Sequence, residues 1–415
     1  MAGNRTMNRQ ASPRAAADLP WLIILAGCAI ALLTFGPRSA MGFFQLPLLE
    51  ERGWDRTTFG LAMAIQNLLW GAGQPVFGAI ADRFGSARVL MMSFVLYAAG
   101  LVMMAWAPTP FWLHMGGGVL VGLGVASGSF GIVMAALARR VPAEKRSLVF
   151  GFATAAGSTG MFAFAPISIG LIDAVGWSDA LVGLAVIMGL IPVAAVALRG
   201  RPQSAEEAQT VEQTMGEALR QAFGHQSYLL LTAGFFVCGF QVAFITAHFP
   251  AYISDLGIDD WWAAVAIALI GLFNIFGSLA SGIVGQRKSK PMMLVWIYLG
   301  RSVAVTVFLL VPASPLTVTT FSIVMGLLWL STVPPTNALV AVMFGTRYLG
   351  MLGGIVFFSH QVGSFLGVWL GGYFYDIYGT YDPVWWLGVA LGIFAAIVHW
   401  PISEAPAPQM KPAPA

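Results

Sequence analysis

The chain has 415 residues, of which 58% are hydrophobic and only 9% carry a charge, and its mean hydropathy is +0.78. This composition excludes an ordinary soluble domain and is typical of a protein that crosses a membrane many times. The net charge of +3 reflects basic loops on one side of the membrane, so we expect no nucleic-acid partner. The two cysteines, Cys28 and Cys238, lie in separate apolar segments and indicate packing residues, not a disulfide or a metal site.

The predicted helices are apolar segments long enough to cross a hydrocarbon layer of about 30 Å. Helices are expected because every backbone polar group must find its hydrogen bond within the bilayer. Twelve segments qualify: 21–49, 57–80, 89–107, 110–138, 148–172, 179–198, 227–253, 261–285, 291–311, 314–343, 348–375 and 383–400. The predicted organisation is a cytoplasmic tail (1–20), a six-helix bundle (21–198), a cytoplasmic linker (199–225), a second six-helix bundle (226–400) and a cytoplasmic tail (401–415).

The first apolar segment contains a permanently charged side chain, Arg38, 17 residues after Trp21. At ~1.5 Å per residue, Arg38 lies roughly 25 Å along the helix and within membrane depth. An arginine there costs at least ~2.5 kcal/mol on insertion scales, so we expect it to face a wet cavity or a partner. Gly36-Pro37 just before it weakens the helix and leaves carbonyl oxygens free. Arg38 is therefore predicted to bind an anion; the alternative is a structural arginine bonded to those carbonyls.

The distribution of charges predicts the orientation of the chain. Of the 21 lysines and arginines, 17 fall on one side of the membrane, and Arg52 and Arg56 fall on the other. The positive-inside rule then places both termini in the cytoplasm, with the protein in the cell inner membrane. The remaining two, Arg38 and Arg301, fall inside the membrane, where none of the 18 acidic residues lies deep in a segment. For Arg301 we expect a structural role, with bonds to carbonyls or to a polar side chain between helices.

The two halves of the sequence match each other at an offset of 203 or 204 residues. The matching pairs are Gly36 with Gly239, Pro47 with Pro250, Gly53 with Gly257, Gly73 with Gly277, Gly78 with Gly282, Gly151 with Gly354, Asp173 with Asp376 and Gly176 with Gly379. Pairs in order at a near-constant offset indicate an internal duplication, and parallel six-helix repeats with a site at their interface are a transporter architecture. The same offset places Arg38 opposite Gln241, so the first helices of the two halves carry paired polar groups.

The loop after the second segment supplies a motif. It reads Gly78-Ala79-Ile80-Ala81-Asp82-Arg83-Phe84-Gly85-Ser86-Ala87-Arg88. This spacing resembles the signature loop of the major facilitator superfamily (G-x-x-x-D-R-x-G-x-x-R), and the resemblance implies an all-α membrane protein of twelve transmembrane helices in two pseudo-symmetric six-helix bundles. The resemblance also implies a gating loop, whose residues are Gly78, Asp82, Arg83, Gly85 and Arg88. The second half holds a degraded copy with Gln286 in place of the acid, which implies a weaker charge-dependent gate contact.

Within that superfamily, Pro37-Arg38-Ser39 followed by Phe43-Phe44 resembles the first helix of monocarboxylate porters. There a basic residue after proline serves in handling the substrate anion and the proton, and the resemblance implies that role for Arg38. The same family carries an acidic residue and an arginine in its eighth helix. This chain has Asn274 and Ser278 near those positions, a departure that argues against simple lactate-like transport.

Polar and aromatic side chains at membrane depth supply further candidates. For substrate binding we single out, besides Arg38, Gln241, Asn67, Gln66, Asn274 and Trp329. Each amide needs a partner, which in a transporter is either the substrate or a neighbouring helix; Trp329 lies in an interrupted tenth segment, where packing is the alternative to substrate contact. For proton coupling we single out His360 and His248, because imidazole exchanges protons near neutral pH. Their alternative is a neutral imidazole hydrogen-bonded between helices.

The sequence holds no phosphate-binding loop, metal-ligand spacing or nucleophile motif, so we expect neither an enzyme nor a cofactor. We predict a secondary active transporter that moves a small organic anion, a monocarboxylate, across the inner membrane by alternating access, coupled to protons. Its partners are a small-molecule substrate and the lipid bilayer, and we expect a monomer. Two alternatives stay open: an efflux pump for amphipathic drugs, which the aromatic and methionine content favours, and a non-transporting membrane sensor on the same scaffold.

Overall fold

The structure, a computed structural model, describes residues 20–138, 140–141, 146–199, 214–345 and 349–407. All regular elements within these residues are helical, as the sequence predicts. The first are α1 (Trp21–Ser39), α2 (Gln45–Arg52), α3 (Arg56–Phe84), α4 (Ser86–Ala105), α5 (Pro110–Leu113), α6 (Val121–Ser127), α7 (Phe130–Ala138), α8 (Arg146–Ile187) and α9 (Leu190–Ala197). The others are α10 (Met215–Phe223), α11 (Gln226–Asp255), α12 (Asp260–Val284), α13 (Lys290–Leu310), α14 (Pro315–Leu328), α15 (Val333–Phe344), α16 (Leu349–Tyr378) and α17 (Asp382–His399). Most of the predicted linker and of both predicted tails lies outside the described residues.

Ten stretches of the described chain are long and apolar enough to cross a membrane. One of them, Gly151–Ala197, has 47 residues, which as a straight helix would measure about 70 Å, more than twice the hydrocarbon thickness. Its backbone leaves the helical conformation at Gly176, where two helices meet. Helix α3, whose 29 residues include Gln66, Asn67 and Gln74, is not among the ten. Counting Gly151–Ala197 as two segments and α3 as one more would give twelve, so the number of twelve segments stays a prediction.

Glycines at four helix ends support the internal duplication. Gly53 and Gly257 have φ values of 65° and 73°, and Gly176 and Gly379 have φ values of 80° and 69°. L-residues rarely adopt this left-handed conformation, so glycine is required there by backbone geometry. A Cβ added at any of the four would have no neighbour within 4 Å, which shows that conformation and not space demands glycine. Both pairs are ones that the sequence offset predicts.

The two most extensive helix contacts between the first half of the chain and the second are those of α3 with α16 and of α8 with α12. The approach of α3 to α16 is close, because a Cβ added to Gly71 would lie 2.7 Å from the side chain of Gln361. Small residues permit such contact between membrane helices. The contact places the middle of α3, with Asn67, beside the middle of α16, with His360.

The predicted tenth segment is interrupted, as the sequence analysis expects. Helix α14 ends at Leu328, and α15 begins only at Val333. The last carbonyl oxygens of a helix have no N–H partner within that helix. The carbonyls of Leu328 and Trp329 are therefore available to a side-chain donor inside the protein.

Candidate functional site

Arg38 lies in the last turn of α1, one residue before the helix ends. Its Nη2 donates to Oδ1 of Asn67 on α3, at 2.6 Å, and its guanidinium lies over the Trp70 ring, 4.5 Å from the ring centroid. Its Nε atom is buried without a hydrogen-bond partner. No carboxylate among the described residues forms an ion pair with Arg38. The cation is thus held by one neutral amide and one aromatic face, which leaves donor capacity for an anion.

The Trp70 ring that lies against the guanidinium belongs to a cluster of aromatic rings. The Trp70 ring meets Phe35 edge-on at 5.6 Å and Phe357 at 5.2 Å, and Phe35 stacks on Phe130 at 4.6 Å between ring centroids. Trp70 is only 8% exposed, and its Nε1 also lacks a partner. A buried donor without an acceptor costs roughly 1–3 kcal/mol. The unpaired donors of Arg38 and Trp70 therefore lie in the same apolar environment. An acidic ligand that accepted hydrogen bonds from them would remove this cost.

A chain of hydrogen bonds leads from Arg38 to His360. The Asn67 side chain that accepts from Arg38 also donates to the carbonyl of Met63, at 2.8 Å. The backbone oxygen of Asn67 accepts from Nε2 of Gln361, at 2.8 Å. Oε1 of Gln361 in turn lies 2.8 Å from Nδ1 of His360. The structure thus brings together Arg38, Asn67 and His360, and it adds Gln361, which the sequence analysis did not single out.

Arg301 and Gln241 form a separate network. Arg301 is completely buried; its Nε and Nη2 donate to the carbonyl oxygen of Leu328, at 3.1 Å and 2.7 Å, and Nη2 also donates to that of Trp329. Its Nη1 donates to Oε1 of Gln241 at 3.3 Å, while Nε2 of Gln241 donates to the carbonyl of Gly388 at 2.8 Å. The predicted bonding of Arg301 to carbonyls and a polar side chain is confirmed. The offset that pairs Gln241 with Arg38 in sequence does not bring the two into contact.

Three other candidates for substrate binding are bonded to, or packed against, neighbouring helices. Gln66 donates to the carbonyl of Gly117 at 2.9 Å. Asn274 donates to the hydroxyl of Ser158 on α8 and accepts from the Leu330 backbone, both at 3.0 Å. The third, Trp329, is 3% exposed and belongs to the apolar core. These contacts agree with the alternative in which the side chains hold neighbouring helices together and do not bind substrate.

His248 lies apart from Arg38, near the Arg56 end of α3. It is completely buried, and its Nε2 lies 2.8 Å from the carbonyl oxygen of Val368. Its Nδ1 lies 3.3 Å from Nε2 of Gln45 and 3.2 Å from the Tyr381 hydroxyl. Every polar atom of the ring is therefore occupied, and the ring joins the first half of the chain to the second.

Beside His248, Arg56 links the two halves through acidic residues that the sequence analysis did not select. Its guanidinium pairs with Asp255 at the end of α11 through two contacts of 2.6 Å, and it donates to the Tyr381 hydroxyl at 2.8 Å. The Asp376 carboxylate accepts from the backbone N–H groups of Arg56 and Thr57, at 3.1 Å and 2.7 Å, and so caps α3. The sequence does carry one signal for this contact, because Arg52 and Arg56 are the only basic residues predicted on that side of the membrane.

The predicted gating loop lies at the opposite end of α3. Gly85 separates α3 from α4 with a φ of 92°, and its N–H donates to the carbonyl of Ala81 at 2.8 Å. Arg83 and Arg88 are exposed, and Gly78 lies within α3 with open space around its Cα. The side chain of Asp82 lies outside the described part of the structure.

The fold and the loop agree with a comparison against protein families. The model of the Major Facilitator Superfamily matches residues 24–368. The chain belongs to this superfamily. The members of this superfamily are transporters, which confirms the prediction that the chain is not an enzyme.

Relatives and solved structures of this superfamily extend over nearly the whole chain. The chain is 26% identical over 375 residues to the uncharacterized MFS-type transporter YcxA of Bacillus subtilis, which covers 88% of this chain and 90% of the relative. It is 26% identical to monocarboxylate transporter 13 of Rattus norvegicus, over 87% of this chain and 83% of the relative. A crystal structure of a D-xylose-proton symporter superimposes with a TM-score of 0.73 at 14% identity, covering 94% of this chain and 99% of the symporter. At that identity the symporter supports the fold alone.

Proposed function

We propose that this secondary transporter moves a small organic anion, a monocarboxylate, by alternating access, in symport with a proton. The proposal rests on one observation: Arg38, at membrane depth, is bonded to a single neutral amide and keeps a buried donor free. A carboxylate accepts charge-assisted hydrogen bonds from a guanidinium and would complete this environment. An amphipathic cation would instead bring a second positive charge next to Arg38.

In this proposal, three side chains divide the work. Arg38 binds the carboxylate, Asn67 holds the guanidinium in place, and His360 carries the proton. Uptake of one anion with one proton is electrically neutral, which avoids the ~2.3 kcal/mol per charge per 100 mV that opposes anion entry into a negative cell. The rat relative is named monocarboxylate transporter 13, and this name supports the same substrate class. By the positive-inside rule, the termini are cytoplasmic in the inner membrane and the Arg56–Asp255 pair lies at the outer face.

The test is a thermal-shift screen of the purified protein in detergent, with wild type, Arg38→Ala and Arg52→Ala side by side. The panel contains pyruvate, lactate, benzoate, succinate, nicotinamide and a cationic dye. A ligand at 100 times its dissociation constant stabilises by ~2.7 kcal/mol, which a melting curve detects. We expect at least one monocarboxylate to stabilise wild type and Arg52→Ala but not Arg38→Ala.

The screen also separates the alternatives. Stabilisation by the dye or by nicotinamide alone, equal in wild type and Arg38→Ala, would overturn the anion proposal and favour drug efflux. Stabilisation by succinate but by no monocarboxylate would keep Arg38 as an anion site and change the substrate class. Arg52 is the matched control because it is also an arginine, at the end of α2, and its ion pair with Glu51 is exposed.

A further inference from the structure

Gln361 is hydrogen-bonded both to the proposed proton carrier, His360, and to Asn67, the residue that accepts from the proposed anion-binding Arg38. It lies on α16 and is completely buried. Its amide nitrogen bonds to the Asn67 backbone on α3, and its amide oxygen bonds to His360, each at 2.8 Å. The first of these bonds joins the two halves of the chain. It must therefore break whenever α3 and α16 separate at this level.

The chemistry of the two bonds fixes the protonation of the imidazole. The backbone oxygen of Asn67 can only accept a hydrogen bond, so the Gln361 atom facing it must be the amide NH₂. The Gln361 oxygen then faces Nδ1 of His360, and Nδ1 must carry a hydrogen. The transported proton would then be gained or lost at the second ring nitrogen, Nε2, and the ring also hydrogen-bonds to the Cys238 thiol. If a neutral ring carried its hydrogen on Nε2 instead, the lone pair of Nδ1 would face a lone pair of the Gln361 oxygen. This repulsion would turn the amide away from Asn67.

The surroundings of His360 make its charge sensitive to a bound anion. The ring is 7% exposed and packs against Phe235 and Phe357, at 5.0 Å and 5.6 Å between centroids. The titratable group beside it is the Cys238 thiol on α11, with the Arg301 guanidinium beyond that thiol. Arg38 is linked to His360 only through Asn67 and Gln361. Because no carboxylate among the described residues pairs with Arg38 or Arg301, a carboxylate bound at Arg38 would add the negative charge that favours an imidazolium.

We propose that Gln361 couples proton binding at His360 to anion binding at Arg38, an inference that rests on the proposed symport. A protonated imidazole donates a charge-assisted bond to the Gln361 oxygen, which is roughly twice as strong as a neutral one. That bond holds the amide in the orientation that ties α16 to α3 at Asn67. Loss of the proton from Nε2 leaves a neutral Nδ1–H that donates more weakly, so the strength of the contact between the halves depends on the proton. Gln361 is in this sense a positioning residue, because it acts through His360 and Asn67.

The test uses Gln361→Met, which keeps the length of the side chain and removes both hydrogen bonds. Wild type, Gln361→Met and Ser364→Ala are reconstituted in proteoliposomes with radiolabelled pyruvate or benzoate. Two activities are measured: accumulation driven by a pH gradient, and exchange of labelled for unlabelled acid without a gradient. We expect Gln361→Met to keep exchange within about threefold and to lose at least tenfold of gradient-driven accumulation, a loss in accumulation of about 1.4 kcal/mol or more. Its exchange rate should also lose the pH dependence of wild type.

Ser364→Ala is the matched control. Ser364 is buried one turn further along α16 and bonds to the carbonyls of Gly239 and His360, both in the second half of the chain. It should behave as wild type. If Gln361→Met proves unstable, Gln361→Glu replaces it, because a carboxyl group keeps the length but adds a second proton site, and we expect it to shift the pH profile of exchange.

Each of the following outcomes would overturn the coupling role of Gln361. Gradient-driven accumulation in Gln361→Met equal to wild type, or an unshifted pH profile in Gln361→Glu, overturns the coupling role and leaves anion transport standing. Equal loss of exchange and of accumulation in Gln361→Met shows a merely structural residue and also overturns it. If wild type itself moves neither acid with protons, the proposed function fails and the coupling role fails with it.

Discussion

Two arginines lie within the membrane, and the structure treats them differently. Arg301 is fully buried and donates to the carbonyls of Leu328 and Trp329 and to the Gln241 side chain. Arg38 donates to Asn67 alone among the described residues and keeps Nε without a partner. An arginine whose donors the fold itself satisfies is a structural part of the protein. One whose donors remain open at membrane depth is the group that we propose binds the anion.

The local backbone explains this difference. Arg301 reaches the end of α14, where the gap before α15 leaves carbonyl oxygens outside the helical hydrogen bonds. Arg38 follows Gly36-Pro37, which also frees carbonyl groups. However, the Ser39 hydroxyl occupies the carbonyl of Gly36 at 2.6 Å, and the Ala40 N–H occupies that of Pro37 at 3.1 Å. The two carbonyls next to Arg38 are thus already occupied, whereas those of Leu328 and Trp329 accept from Arg301.

The largest effect that tests this contrast is on stability. Arg301→Met removes a cation bonded at three acceptors and leaves buried carbonyls unsatisfied, so we expect a loss of about 3 kcal/mol. Arg38→Met removes one bond to a neutral amide, and we expect a loss of less than about 1 kcal/mol. Melting of both purified variants in the same detergent, without ligand, measures the difference. Equal losses would contradict the assignment of Arg301 to structure and Arg38 to binding.

The sequence already predicts that both arginines are special, but not which partner each one finds. Charge placement shows that neither has an acidic neighbour. The repeat pairs Gly53 with Gly257 and Gly176 with Gly379, and the structure shows that all four have a positive φ. The same repeat pairs Gln241 with Arg38, and the structure gives Gln241 to Arg301. An offset between duplicated halves identifies equivalent positions, not touching ones. The sequence analysis missed Gln361 for a related reason. Its importance comes from a bond between α16 and α3, to Asn67, which lies 294 residues away in the sequence.

A second variant, Asn67→Asp, gives Arg38 an acidic partner, so that the protein itself satisfies the guanidinium as it does that of Arg301. Asn67→Asp would place a carboxylate where the amide oxygen now lies, 2.6 Å from Nη2 of Arg38. That carboxylate would neutralise the guanidinium and repel an incoming anion, so we expect the affinity for a monocarboxylate to fall about 30-fold, or about 2 kcal/mol. Stability without ligand should not fall. Titration of the acid against the melting temperature measures both quantities.

The control for this variant is Asn67→Ser, which shortens the side chain without adding charge. We expect it to change the affinity by less than about fivefold, because Arg38 keeps its positive charge and its contact with Trp70. Wild-type affinity in Asn67→Asp would mean that the anion does not bind at Arg38. An equal loss in Asn67→Ser would mean that the geometry of Asn67, and not the charge of Arg38, controls binding.

The smallest effect concerns Gln241, for which sequence and structure suggest different partners. Gln241→Leu removes one of the acceptors of Arg301 and the bond to Gly388, while the two carbonyl acceptors of Arg301 remain. We expect a stability loss of about 1 kcal/mol, well below that of Arg301→Met. The stabilisation by a bound monocarboxylate should be unchanged, because Gln241 does not touch Arg38. Melting curves with and without the acid give both values.

Arg38→Ala is the reference for this last measurement, since it should show the reverse pattern: a small change without ligand and no stabilisation by the acid. If Gln241→Leu instead lost the ligand stabilisation, Gln241 would bind substrate in some state of the transport cycle, as the sequence repeat suggests. The two arginines would then belong to one site that the halves share when they rearrange. An unchanged ligand response, with the small loss of stability, keeps them as two networks with separate tasks.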